Sequence, residues 1–259
     1  MPYMILRRAD ARTEAGGLPP AQASLLDVVF APTEQAVRLT IRDGQVTVKR
    51  GPFDDTVAGF TMVASPTIPD AVEWLRRWPA ADAEDDTDAA VTLEIRQRGC
   101  PDNCAAIDLT GEGAGERYAI LLRSNEALET EVPVEVAKIT ALDAHNAREF
   151  AAGTLLAADG LRGTSRGARV RVAKSVFSVI DGPFTEIKEL IAGFWLIRAK
   201  NMDEAIAWAS RNPYPTGPDV EVEIRPVLAT RSFGADLATE ESRLRAGQLD
   251  AGMRAHFTA

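Results

Sequence analysis

The residues able to do chemistry are few and lie mostly in the second half of the 259-residue chain. Asp181-Gly182-Pro183-Phe184 is followed closely by Glu186, Lys188 and Glu189. A carboxylate held beside an apolar pocket is raised in pKa and can work as a general acid or base, which makes Asp181 and Glu186 the candidate catalytic groups. The same motif also reads as a turn: Asp initiates, Gly and Pro set the bend, and Phe184 plugs the core. Arg171 closes the basic run Arg162, Arg166, Arg169, Arg171 and is the candidate anion anchor. With Lys188, Glu189 and His145 it makes the candidate ligand-binding set. The competing reading of the run is a charged hairpin edge that discourages strand addition. His145 is a general base or haem ligand on one reading and an interfacial helical histidine on the other. Cys100 and Cys104 form C-x3-C, an incomplete zinc site without further Cys or a nearby His, and not the redox spacing C-x-x-C. They are idle loop cysteines or a reversible linker disulfide. No metal and no cofactor is expected.

The elements that must hold these residues occur twice. Gly59-Phe60 and Gly193-Phe194 open two segments related by an offset of 134, along which Ala71, Trp74, Arg77 and Pro79 match Ala205, Trp208, Arg211 and Pro213. Upstream, Arg50-Gly51-Pro52-Phe53 answers Asp181-Gly182-Pro183-Phe184. Each copy starts with a Tyr-led apolar segment at Tyr3 or Tyr118. Each ends in an alternating strand, Val91-Thr-Leu-Glu-Ile-Arg96 or Val220-Glu-Val-Glu-Ile-Arg225. A period above 100 residues is too long for a solenoid and means two tandem domains. Copy 1 is the shorter: Tyr3 to Gly51 spans 48 residues against 64 from Tyr118 to Gly182.

In copy 2 the apolar spacing predicts a strand at 117–123, a helix over 133–152 ending at Gly153, and strands at 168–173 and 175–180. A single helical turn at 186–190 and a strand at 193–198 follow. Asn201 and Glu204 then open a capped helix that stops at Asn212-Pro213, and copy 1 repeats it from Thr67. The order reads as β-α-β-β-α-β, the ferredoxin-like split βαβ. Two helices cover one face of such a sheet, and the other face needs a partner. The expected fold is therefore α+β: tandem ferredoxin-like units packed sheet to sheet as a pseudo-dimer within one chain, resembling a dimeric α+β barrel. The expected divisions are a degenerate unit at 1–98, a Gly/Pro-rich linker at 99–116, a full unit at 117–233 and a helical tail at 234–259.

Composition narrows the classes. At 46% hydrophobic and 26% charged, the chain is an ordinary globular protein and not a disordered or fibrous one. A net charge of −9 argues against nucleic acid as a partner. Gly111-Glu-Gly-Ala-Gly115 opens no helix with Lys-Ser/Thr and is not a phosphate loop. The N-terminus shows neither an apolar signal core nor a cleavage site, and no stretch is long enough to span a bilayer. The expectation is a cytoplasmic protein without membrane contact, a monomer or homodimer built on the internal pairing.

Asp181-Gly-Pro-Phe184, Thr185-Glu-Ile-Lys-Glu-Leu190, Ala192-Gly-Phe-Trp-Leu-Ile197 and Glu221-Val-Glu-Ile-Arg-Pro226 together resemble the DGPF group of YCII-related proteins over about residues 117–233. Copy 1 shares only the Gly-Pro-Phe turn, Ala58-Gly59-Phe60 and the Trp74 helix. The resemblance implies a ferredoxin-like unit that pairs into an α+β barrel, with no settled activity. The His–Asp pair suspected of catalysis in broader YCII relatives has no counterpart, because neither His145 nor His256 sits in a matching motif. Three functions stand open: a small-ligand-binding or regulatory barrel, an enzyme using carboxylate acid/base chemistry on a small organic molecule, and a scaffold for a partner. Copy 1 keeps the Gly-Pro-Phe turn but has Arg50 in place of Asp181. Any site is therefore expected in copy 2.

Overall fold

The computed structural model describes residues 2–9, 26–54, 56–77, 91–99, 115–173, 176–185 and 189–231. Residues 78–90, the linker stretch with Cys100 and Cys104, the Glu186–Lys188 turn and the C-terminal tail lie outside these residues. The N-terminal half holds β1 (Pro2–Arg8), β2 (Leu26–Phe30), β3 (Val37–Arg42), β4 (Gln45–Arg50), β5 (Val57–Ala64), α1 (Ile68–Arg77) and β6 (Val91–Gln97). The C-terminal half holds β7 (Glu116–Arg123), the short α2 (Glu126–Glu129), α3 (Val136–Ala151), β8 (Leu155–Gly160), β9 (Ala168–Ala173) and β10 (Val176–Asp181). It continues with β11 (Ile191–Ala199), α4 (Met202–Arg211) and β12 (Val220–Arg231).

The fold is mixed α+β, and every named strand pairing is antiparallel. Four strands of each half run in the same order, β6-β1-β5-β2 and β12-β7-β11-β8. Numbered within a half, that order is last, first, third, second, as in a ferredoxin-like sheet. The remaining hairpins leave their own half. β3–β4 adds to β12, and β9–β10 adds to β6. Beyond Pro226, β12 shifts register and runs on along β2, while Arg98 bridges Leu161 on the other side.

This corrects the strand assignment within copy 2. The segments at 168–173 and 175–180 are not the inner strands of the unit but the exported hairpin. The second strand is Leu155-Leu-Ala-Ala-Asp-Gly160. Its first five residues are buried, so it shows no alternation, and its Ala, Asp and Gly have poor strand propensity. The 16 residues by which copy 1 is shorter (64 − 48) all fall between β1 and β2. The pairing of β2, β3 and β4 matches that of β8, β9 and β10 at one offset of 131.

Local chemistry explains the parts both halves keep. Asn201 Oδ1 accepts from the Glu204 amide at 3.0 Å, and Glu204 Oε2 accepts from Lys200 N at 2.5 Å, fixing the start of α4. Thr67 Oγ1 accepts from Asp70 N at 3.3 Å at the start of α1. Gly153 takes φ 72° where α3 ends. The Gly-Pro bonds at 51–52 and 182–183 are both cis. At each the backbone passes so close to a 3-10 turn that an added Cβ would sit 1.8 Å from the carbonyl oxygen of Thr33 or Thr164. Glycine is thus obligatory at both turns. Phe53 and Phe184 are buried beyond them, each under a guanidinium 4.3 Å from the ring centroid, Arg38 and Arg169 respectively.

Three apolar clusters form the core. One lies between α3, α4 and their sheet, and includes Tyr118, Ile120, Trp195 and Trp208. Another lies under α1, around Tyr3, Ile5, Ala71 and Leu75. The third takes side chains from both halves, with Leu6, Phe60 and Met62 packed among Leu121, Phe194 and Leu196. The Phe60 and Phe194 rings stand 4.6 Å apart. No helix among the described residues is long and apolar enough to cross a membrane.

Candidate functional site

The alternation of the last strand in each half sets up the polar interior. In β12, Val220, Val222 and Ile224 face the helix layer. Glu221, Glu223 and Arg225 therefore point to the opposite face, toward the other half. In β6, Val91, Leu93 and Ile95 do the same and leave Glu94 and Arg96 facing inward. Glu94, Arg96, Glu223 and Arg225 are all essentially inaccessible. Buried charge survives only when paired, and each pair is completed by the hairpin imported from the other half.

Around Glu223, Oε1 accepts from Thr56 Oγ1 at 2.5 Å and from Arg225 at 3.1 Å, and Oε2 accepts from Arg38 Nε at 2.8 Å. Arg123 lies 3.7 Å from the same carboxylate. Arg225 also donates to the carbonyls of Val57 at 2.9 Å and Ala31 at 2.5 Å. Burial alone would push the Glu223 carboxyl up, but Arg123, Arg225, the Thr56 hydroxyl and Arg38 together hold it below the usual carboxylate range. Burial lowers Arg123, an effect that Glu223 opposes.

The matching cluster in the other half is centred on Glu94. It accepts from Arg96 at 2.9 Å and Arg169 at 3.3 Å. Arg96 also donates to the Arg162 carbonyl at 2.7 Å. Glu129, at the end of α2, closes this side: it accepts from Ser124 Oγ at 2.6 Å and from both Thr164 N and Oγ1 at 2.8 Å.

A pocket of about 110 Å³ opens where β3, β7 and β12 meet. Its walls include Thr40, Arg123, Ser124, Asn125, Thr216 and Glu221. Arg123 is the buried wall, with 4% of its side chain exposed, and lies 3.8 Å from Glu221. Arg42 and Asp219 form a loose exposed pair 3.9 Å apart at the rim. Leu122 and Val220 complete the lining, so the pocket mixes apolar walls with acidic and basic groups that face each other. No three His, Cys, Asp or Glu among the described residues are grouped to hold a metal.

The residues singled out in the sequence are spread apart. Asp181 is exposed at the end of the edge strand β10, opposite Ala168. Arg171 is exposed on β9 of the same hairpin, opposite Ser178. Glu186 and Lys188 lie outside the described residues. Glu189 is half-buried and ion-pairs with Arg8, while its carbonyl accepts from Arg8 at 3.0 Å and Arg123 at 3.4 Å. Its carbonyl thus links the described candidates to the buried Arg123. His145 is buried on α3 at 5.5 Å from the Trp208 ring, in the helix layer. Burial depresses its pKa.

The inward charges were missed although their signal was available. Glu-Ile-Arg occurs in both terminal strands, at 94–96 and 223–225. The charges common to the two strands are the buried ones, whereas Asp181 and Arg171, which set the second half apart, are exposed.

Residues 117–229 match the model of the YCII-related domain, so this stretch of the chain is similar to that family. No curated protein matches the chain.

Proposed function

We propose that this is a tandem protein of the DGPF group, two ferredoxin-like units facing each other as an intramolecular α+β barrel, and that it binds a small polar molecule without turning it over. The duplicated reading draws support from the shared strand order, the paired Gly-Pro turns and the reciprocal hairpins. The divisions at 1–98 and 117–233 follow from it as evolutionary units rather than independent folding ones.

The binding reading is carried by the pocket beside Arg123. Its buried guanidinium, the facing Glu221 and the hydroxyls of Thr40, Ser124 and Thr216 offer donors and acceptors to a small carboxylate or zwitterion. Acid/base turnover ranks second. The buried carboxylate nearest this pocket, Glu223, is held ionised by its guanidinium partners, whereas a general acid at neutral pH needs a raised pKa. Glu223 therefore serves as an anchor.

Ligand-observed NMR with a panel of small carboxylic acids and amino acids tests this. Wild-type protein should give saturation transfer to at least one class, and Thr40→Phe, which fills the pocket from β3, should abolish the transfer with the fold intact. Transfer to none of them, or transfer unchanged by Thr40→Phe, would overturn the reading and leave a scaffold as the better account.

A further inference from the structure

We infer that the pocket beside Arg123 takes a small α-amino acid, glycine or alanine in size, with its carboxylate inward on Arg123 and its ammonium outward between Glu221 and Asp219; this narrows the binding reading above and rests on it. Charge is layered along the pocket. Behind its wall the guanidiniums of Arg38, Arg123 and Arg225 surround one inaccessible carboxylate, Glu223. At the mouth the balance reverses. Glu221 and Asp219, with side chains 46% and 70% exposed, stand there with the single guanidinium of Arg42. A field of that shape draws a negative group in and holds a positive one out. A plain carboxylate meets the two acids of the mouth, and a plain amine meets the buried guanidiniums. A zwitterion satisfies both ends.

The acids of the mouth have capacity for an ammonium. Among the described residues neither accepts a hydrogen bond: Glu221 lies 3.8 Å from Arg123 and Asp219 3.9 Å from Arg42, beyond the N–H···O range. Glu221 is also not needed to join the imported hairpin to the last strand. The pair that does so, Glu223 with Arg38, recurs in the other half as Glu94 with Arg169. The position of Glu221 does not recur: Thr92 stands there, paired with Arg171 where Glu221 is paired with Thr40. Size agrees with a ligand of a few heavy atoms. The pocket holds about 110 Å³, less than the roughly 150 Å³ of a cavity that encloses a benzene ring.

Ligand-observed NMR titrations of the full chain with alanine, propionate and ethylamine test this, the last two being alanine without its ammonium or without its carboxylate. The wild type should bind alanine at least about tenfold more tightly than either. E221Q and D219N should each weaken alanine, E221Q by at least about tenfold, and leave propionate as tight or tighter because an acid at the mouth has gone. Both positions are partly or fully exposed, so the circular dichroism should not change. A wild type that binds propionate as tightly as alanine overturns the inference and leaves the pocket reading standing. So do an alanine affinity unchanged in E221Q, variants that lose alanine and propionate alike, or binding of other carboxylic acids but none of these three. Binding of no acid at all, or binding that Thr40→Phe leaves intact, overturns the pocket reading and this inference with it.

Discussion

Glu223 shows how the interior charges work at the scale of one residue. It is inaccessible, and its two oxygens take hydrogen bonds from Thr56, Arg225 and Arg38. Glu223→Gln keeps the shape and removes the charge, leaving Arg38 and Arg225 without their common counter-ion. The expected loss is about 3–5 kcal/mol of unfolding free energy, the range for breaking a buried pair. Glu221→Gln, on the same strand and half-exposed, should stay within about 0.5 kcal/mol. The pH dependence has a definite sign. The folded pKa of Glu223 lies below its ordinary value of 4.5, so the unfolded chain binds the proton more readily. Its contribution is therefore complete above about pH 4.5 and is lost as pH falls through the lower folded value. Urea titrations should show the gap between wild type and Glu223→Gln closing below pH 4.5; a gap that widens there would contradict the assignment.

At the scale of elements, the legible parts were those with local causes. The cap at Asn201, the stop at Pro213, the α3 stretch ending at Gly153 and the alternation of β6 and β12 are each written in adjacent residues. β8 was not, because a strand buried on both faces has no period and its Ala-Ala-Asp-Gly reads as loop. The Gly-Pro-Phe turns were legible as turns. Their reason was not, since it lies in a 3-10 turn 18 residues upstream of each glycine (51 − 33 and 182 − 164). Gly182→Ala places a methyl within 1.8 Å of the Thr164 carbonyl and must push the exported hairpin away from that turn. The expected cost is about 3 kcal/mol, at the upper end for overpacking. Gly217→Ala, where nothing lies within 4 Å, is the control and should be near neutral. Equal thermal stability of the two variants would mean that the close approach does not support the fold.

At the scale of the whole molecule, the match between two segments was legible in the sequence and the exchange of hairpins was not. An offset between two segments points to matching elements, here the strand orders β6-β1-β5-β2 and β12-β7-β11-β8. Which strand a hairpin joins is decided by register and by partners far along the chain, from 73 residues away (168 − 95) to 187 (224 − 37), and no periodicity reports that. The exchange has a consequence for the C-terminal half, residues 115–231. Alone, it would have β9–β10 without β6 to pair with and β12 without β3. Its Leu121, Phe194 and Leu196 would lose Leu6, Phe60 and Met62 as packing partners. Leaving such a face in water forgoes about 25 cal/mol per Å² of apolar surface, which a unit of this size does not replace from its remaining core. Two copies of the fragment can repair all three defects at once. β9 corresponds to β3 and β12 to β6, so each copy can donate its hairpin to the last strand of the other. The fragment is therefore expected to be a dimer whenever it is folded. Light scattering behind size exclusion should give twice the fragment mass down to low micromolar loading, with folding and dimerisation lost together on dilution or in urea. A folded monomer of residues 115–231 would show that the half does not need its opposite face covered, and the face-to-face arrangement would then be incidental to stability.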